Sequence, residues 1–153
     1  MRNEKSSPWG QIFVGLAFVA ILFHAPAAAA TDPCGLLTTQ EVGAALHEEV
    51  RPPQKMQTGG CIWRGAETDN VTIEAPGTGR PGFENARSRM SPTVSLGGIG
   101  DAAFAFTSLA GFVEVGLVKG NNFLTVVVQT RSGKDTQAAA RSLSAKIAGR
   151  LPN

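Results

Sequence analysis

The hydrophobic positions of this chain fall into two regimes. Residues 12–23 form an apolar run, whereas beyond Thr31 the apolar positions are spaced at helical or strand intervals. Thr38-Thr39-Gln40-Glu41 has the layout of a capping box, in which the Thr38 hydroxyl accepts from the Glu41 amide while the Glu41 carboxylate reaches back. Val42, Ala45 and Leu46 then share one helical face, and the helix should end near His47. Pro52-Pro53 and Gly59-Gly60 bound an irregular stretch. Cys61-Ile62-Trp63-Arg64 and Val71-Thr72-Ile73-Glu74 alternate apolar with polar, the period of strands with one buried face, and residues 65–70 between them read as a turn.

Residues 76–81 predict a loop, and Phe83, Ala86 and Met90 a short helix with Arg87 and Arg89 on its polar side. A short strand is expected over 94–96, and another extended piece follows the glycines at 97–100 and runs through Phe104 and Phe106. Residues 112–118 and 123–130 are rich in β-branched and aromatic side chains. Lys119-Gly120-Asn121-Asn122 between them supplies residues that tolerate a left-handed backbone, so the pair reads as a hairpin. Residues 135–151 predict a closing helix capped by Asp135, with Ala139, Leu143, Ile147 and Leu151 on one face and Gly149 and Pro152 as stop signals. Hairpin-linked strands without long strand-helix-strand crossovers imply an α+β domain, an antiparallel β-sheet packed against about three helices.

The flanks of the apolar run give it a meaning. Arg2 and Lys5 against Glu4 precede it, and the alanines at 27–30 supply the small residues a signal peptidase reads. Residues 1–30 are therefore expected to be a signal peptide cleaved after Ala30, leaving residues 31–153 as a single exported domain, periplasmic or secreted. The rival is an uncleaved anchor over residues 9–30, if Gln11, His24 and Pro26 were tolerated in a span. Pro26 and the alanine run after a short core favour cleavage, and no stable membrane insertion is expected afterwards. Lipidation of Cys34 is disfavoured, because Thr31-Asp32-Pro33 places an acid and a proline where small residues are needed.

Charge adds little. The chain has 14 Lys plus Arg and 12 Asp plus Glu; without Arg2, Lys5 and Glu4 the balance is close to even. No basic stripe remains to give nucleic-acid binding an electrostatic footing. The two cysteines, Cys34 and Cys61, are most economically one disulfide in an exported chain. Closing a loop of about 28 residues stabilises by roughly 3 to 4 kcal/mol on the chain-entropy account. Zinc wants about four ligands, whereas two thiols and His47 are offered, with no C-x-x-C spacing, so no metal is expected.

The remaining motifs read as structure. Gly98-Ile99-Gly100-Asp101-Ala102-Ala103 formally matches a dinucleotide fingerprint, but a helix should begin at the glycines and here an extended piece follows, so no cofactor is inferred. Gly98, Gly100 and Asp101 are expected to form a tight turn whose carboxylate caps local amides. His47, at the end of the first helix, suits the last helical carbonyls better than catalysis. Glu48-Glu49 and Glu67/Asp69 are paired acids that read as solvated surface, Trp63 reads as core, and no G-x-S-x-G elbow occurs. No catalytic residue is assigned.

The segments Asp32-Pro33-Cys34-Gly35-Leu36-Leu37-Thr38-Thr39-Gln40-Glu41-Val42, Cys61-x-Trp63 and Gly98-x-Gly100-Asp101-x-Ala103, followed by the hairpin and an alanine-rich last helix, resemble a family of small bacterial cell-envelope proteins built on a domain of unknown function. The resemblance spans most of residues 34–151. It implies an α+β fold similar to the PsbP-like sandwich, and no established activity. Many such proteins look like lipoproteins, and this chain departs there. The expectation is a non-enzymatic domain that binds an envelope protein or a small molecule through its sheet face and glycine-rich loops. A hydrolase of unrecognised type or a protein inhibitor are the alternatives. A concave pocket with converging polar groups would favour the enzyme, and a flat aromatic-bearing face the binding readings.

Overall fold

The structure, a computed structural model, describes residues 31–131 and 135–153. The expected signal peptide, residues 1–30, lies outside the described residues. A short 3₁₀ turn over Pro33–Gly35 leads into α1 (Thr39–Leu46). The strands β1 (Gln54–Lys55), β2 (Cys61–Arg64) and β3 (Asn70–Thr78) form a meander, and α2 (Gly79–Arg89) crosses over to a second meander. That one comprises β4 (Thr93–Leu96), β5 (Ala102–Thr107), β6 (Val113–Lys119) and β7 (Asn122–Gln129), and α3 (Thr136–Arg150) ends the order. Pairing β3 with β7 fuses the meanders into one seven-stranded antiparallel sheet, ordered β1-β2-β3-β7-β6-β5-β4. The chain is α+β, as the element order implied.

Local signals set the helix ends. The Thr38 hydroxyl accepts from the Glu41 amide at 3.2 Å, and the Glu41 carboxylate accepts from the Thr38 amide at 2.9 Å, completing the capping box. His47 closes α1 in the left-handed conformation (φ 55°) with an exposed side chain. The Asp135 carboxylate accepts from the Ala138 amide at 2.8 Å and caps α3. Glu41 also ties the two helices together: Arg150, at the end of α3, donates to both its oxygens at 2.7 and 2.8 Å. These Arg150 bonds, reinforced by the Thr38 amide, lower the Glu41 pKa from 4.5 to about 2.

Two expectations change at the middle of the chain. Residues 76–81 are not a loop: β3 continues to Thr78 through a register shift between Glu74 and Gly77, and α2 begins at Gly79. Pro76 lies within that irregular stretch, where a missing backbone donor costs the ladder least, and Pro81 sits in the first turn of α2, where the N–H it lacks would have no helical acceptor. The stretch between Pro52 and Gly60 holds a strand, β1, which pairs with β2 over only two residues.

Alternation then divides the sheet into two faces. Trp63, Val71, Ile73, Val126, Val115 and Leu117 point to one face, where α3 packs on β6 and β7 and α1 packs on α3. Cys34 and Cys61 are disulfide-bonded with a Cα separation of 5.1 Å, tying the segment before α1 to β2 on that side. Trp63 is fully buried, as expected of a core indole, and its N–H meets no protein acceptor among the described residues. On the opposite face α2 lays Phe83 onto Phe104 and Phe123, with ring centroids 5.3 and 6.1 Å away. Gly116 makes that possible: a Cβ there would meet the Phe104 ring at 2.4 Å.

Candidate functional site

The eleven residues of α2 cover only one end of their face. On the uncovered part, Ile62, Thr72, Val127, Glu114, Phe106 and Thr93 lie opposite one another on successive strands, one residue from each of β2, β3, β7, β6, β5 and β4. All six are half-buried, and among the described residues the helix on this face, α2, packs instead on the cluster of Phe104, Val118 and Phe123. Glu74 lies on the same face, on β3 opposite Thr125, with its carboxylate 3.5 Å from the Thr58 hydroxyl. The sequence folds this way because period-two alternation in Val113-Glu114-Val115-Gly116-Leu117-Val118 sends Val113, Val115 and Leu117 to the side that α3 covers and Glu114, Gly116 and Val118 to the other.

Glu114 is the electrostatic centre of this surface. Partial burial raises its pKa above the ordinary 4.5, and the Glu74 carboxylate raises it further. Neither carboxylate is ion-paired among the described residues. The result is an apolar strip with two acids set into it, unlike the mixed charge that solvates an ordinary sheet face. Such a strip can take up apolar groups and one or two cations. Among the described residues, the only hydroxyl hydrogen-bonded to either carboxylate is that of Thr58, at 3.5 Å from Glu74.

The residues singled out from the sequence lie elsewhere. Gly98 and Gly100 adopt positive φ (77° and 58°), as a tight turn requires. A side chain at Gly100 would also run into the Val118 carbonyl. Asp101 does not cap local amides: its carboxylate accepts from the Gly120 amide at 2.7 Å, nineteen residues away, and so fastens the β4–β5 connection to the β6–β7 turn. The glycines open a strand, β5, so no helix N-terminus stands there to receive a phosphate. Asp69 corrects the solvated-surface reading of the acids. It is 4 % exposed and accepts from the Arg131 amide at 2.7 Å. Glu48 is half-buried and accepts from the Ala66 amide at 3.2 Å, so the fold does bring Glu48 to the 65–69 turn, with one carboxylate oxygen held by a backbone donor. Glu49 and Glu67 are exposed, and Glu67 pairs with Arg131.

No protein-family model, curated protein or solved structure matches this chain. Sequence reasoning passed over Glu114, Phe106 and Val127. The signal was present: an acid inside an otherwise apolar hairpin strand must face either water or a partner, since a lone buried carboxylate is costly. Among the described residues, no group of three or more His, Cys, Asp or Glu is placed to hold a metal, and no helix is long and apolar enough to cross a membrane.

Proposed function

We propose that this protein is an exported, non-enzymatic binding module whose open sheet face docks a protein partner in the cell envelope. One observation carries the reading: the register row Ile62–Thr72–Val127–Glu114–Phe106 sets three half-buried apolar side chains around an acid, and α2 stops short of it. A partner presenting apolar side chains around a lysine or arginine would complement both the strip and its two carboxylates. Export is supported by the charged start, apolar core and alanine run of residues 1–30, and by a disulfide, which persists in oxidising compartments. The resemblance to small cell-envelope proteins points the same way. A hydrolase is less well supported. His47, the one histidine after His24, is exposed at the end of α1, and among the described residues it forms no hydrogen bond to a serine or threonine hydroxyl.

The test is site-specific photo-crosslinking in the native cell. A photoreactive residue replacing Thr72, on the open face, should give a defined adduct that Glu114→Lys abolishes. The same residue replacing Ala145, on the exposed side of α3, should give none. Equal adducts from both positions, or an adduct at Thr72 that Glu114→Lys leaves intact, would sink the proposal.

A further inference from the structure

The two edges of the sheet are guarded unequally. At one edge β1 is only two residues long and ends in Lys55, devices that discourage a further strand. At the other, β4 is Thr93-Val94-Ser95-Leu96, with no charge, and Val94 is 59 % exposed. Its inner side pairs with β5, and among the described residues its outer side has no strand beside it. Next to this edge, on the face that α3 covers, the first turns of α3 and the β4–β6 surface enclose a cleft of about 370 Å³.

The floor of the cleft is Val94, Leu96, Ala105 and Val115, and its far wall is Ala138 and Arg141 of α3. Small residues at 105 and 138 leave the depth that larger ones would fill. Asp135 also borders the cleft, but its carboxylate is occupied in capping α3. Arg141 is exposed and, among the described residues, enters no ion pair, so its charge is available to a ligand in the cleft. An open strand edge running beside a helix, with an apolar floor between them, is the geometry in which an extended chain adds as one more strand. Main-chain bonds then supply the grip, and alternate side chains enter the groove.

We infer that the groove between β4 and α3 binds an extended acidic peptide segment by strand addition. The peptide backbone pairs with the outer edge of β4, a β-branched side chain rests on Val94, Ala105 and Val115, and an aspartate or glutamate side chain on the same face reaches Arg141. Charge decides the occupant. A second copy pairing through its own Thr93-Val94-Ser95-Leu96 would bring no carboxylate from that strand to Arg141, and a cationic peptide would meet Arg141 unfavourably. The groove lies on the opposite side of the sheet from the Glu114 strip, so the two sites stand or fall separately.

The probe is a linear random heptapeptide library displayed on phage, selected against the exported protein. Selected peptides should alternate valine, isoleucine or threonine with other residues and carry aspartate or glutamate. Synthesised with blocked ends, they should lose about tenfold or more in affinity for Arg141→Glu, as expected when a charge-assisted contact becomes a like-charge one. Val94→Lys should weaken them similarly. Both positions are exposed, and unchanged melting temperatures will show that the fold survives. Exchanging the peptide's acid for lysine should restore binding to Arg141→Glu. Failure to select any sequence family, peptides without an acid, or affinities indifferent to both substitutions would overturn the inference. So would a dimer that Val94→Lys dissociates, which would assign the edge to a second copy.

Discussion

The two faces of one sheet are finished to different degrees. On one, Trp63, Val71, Ile73, Val126, Leu143 and Ile147 are all fully buried beneath or within two helices. On the other, Phe83 of α2 completes a four-residue aromatic and valine cluster, and the row through Ile62, Val127, Glu114 and Phe106 remains half-buried. Both faces are drawn from the same strands, residue by alternate residue, so β-propensity cannot account for the difference. The allocation of helices does. Two helices and the disulfide serve stability on one side; one short helix on the other leaves an apolar surface that stability alone does not explain.

The sharpest way to break this comparison is to truncate matched residues. Ile147→Ala on the closed face should cost about 2 to 5 kcal/mol, because a cavity opens where nothing can collapse. Val127→Ala on the open face should cost well under that, because the site is already reached by water. Chemical denaturation of both variants decides it, and equal losses would mean that the faces do not differ. Replacing Cys34 and Cys61 together by serine should cost roughly 2 to 4 kcal/mol, since the bond constrains the unfolded chain as well as pinning the closed face. Denaturation with and without reductant should agree with that variant.

Glu41→Gln probes the closure between α1 and α3. The folded pKa of about 2 lies below the ordinary 4.5, so the stabilisation from Glu41 is fully present above pH 4.5 and fades as pH falls toward 2. The variant should therefore melt a few degrees lower at neutral pH, and the gap to the wild type should close through that acid window. Asp101→Ala should cost about 1 kcal/mol by removing the acceptor of the Gly120 amide. Thermal melts at neutral pH will show it, and amide exchange at Gly120 should rise in the same variant.

What the sequence disclosed was local. Thr38 with Glu41, Asp135 before α3, the Lys119–Asn122 turn and the alternation around Trp63 and Val71 each rest on residues a few positions apart, where capping and pleat geometry act directly. What it concealed was long-range. Val71 pairs with Val128 and Thr72 with Val127 across more than fifty residues, and no short pattern announces that β3 joins β7. Pro76 suggested a loop because the register shift that accommodates it depends on that distant partner. Asp101 looked like a local cap because Gly120 approaches it only after the second meander folds. Alternation told which residues share a face; only packing told which face receives the helices. Glu114 therefore passed unnoticed until its neighbours Val127 and Phe106 came into register beside it.

Glu114 also provides the smallest and most direct test. Its pKa is raised, so the folded state holds the proton more tightly than the unfolded chain does. The stability it contributes is fully present below the ordinary 4.5 and lost as pH rises through its folded value. At neutral pH the ionised Glu114 is thus a standing cost on the open face. The deciding measurement is the melting temperature of wild type and Glu114→Gln from pH 3 to pH 8, a range of about five pH units chosen to bracket both ionisation limits. The account predicts that the variant melts higher at neutral pH and that the gain vanishes in acid. A variant that melts lower than, or level with, the wild type at neutral pH would contradict it.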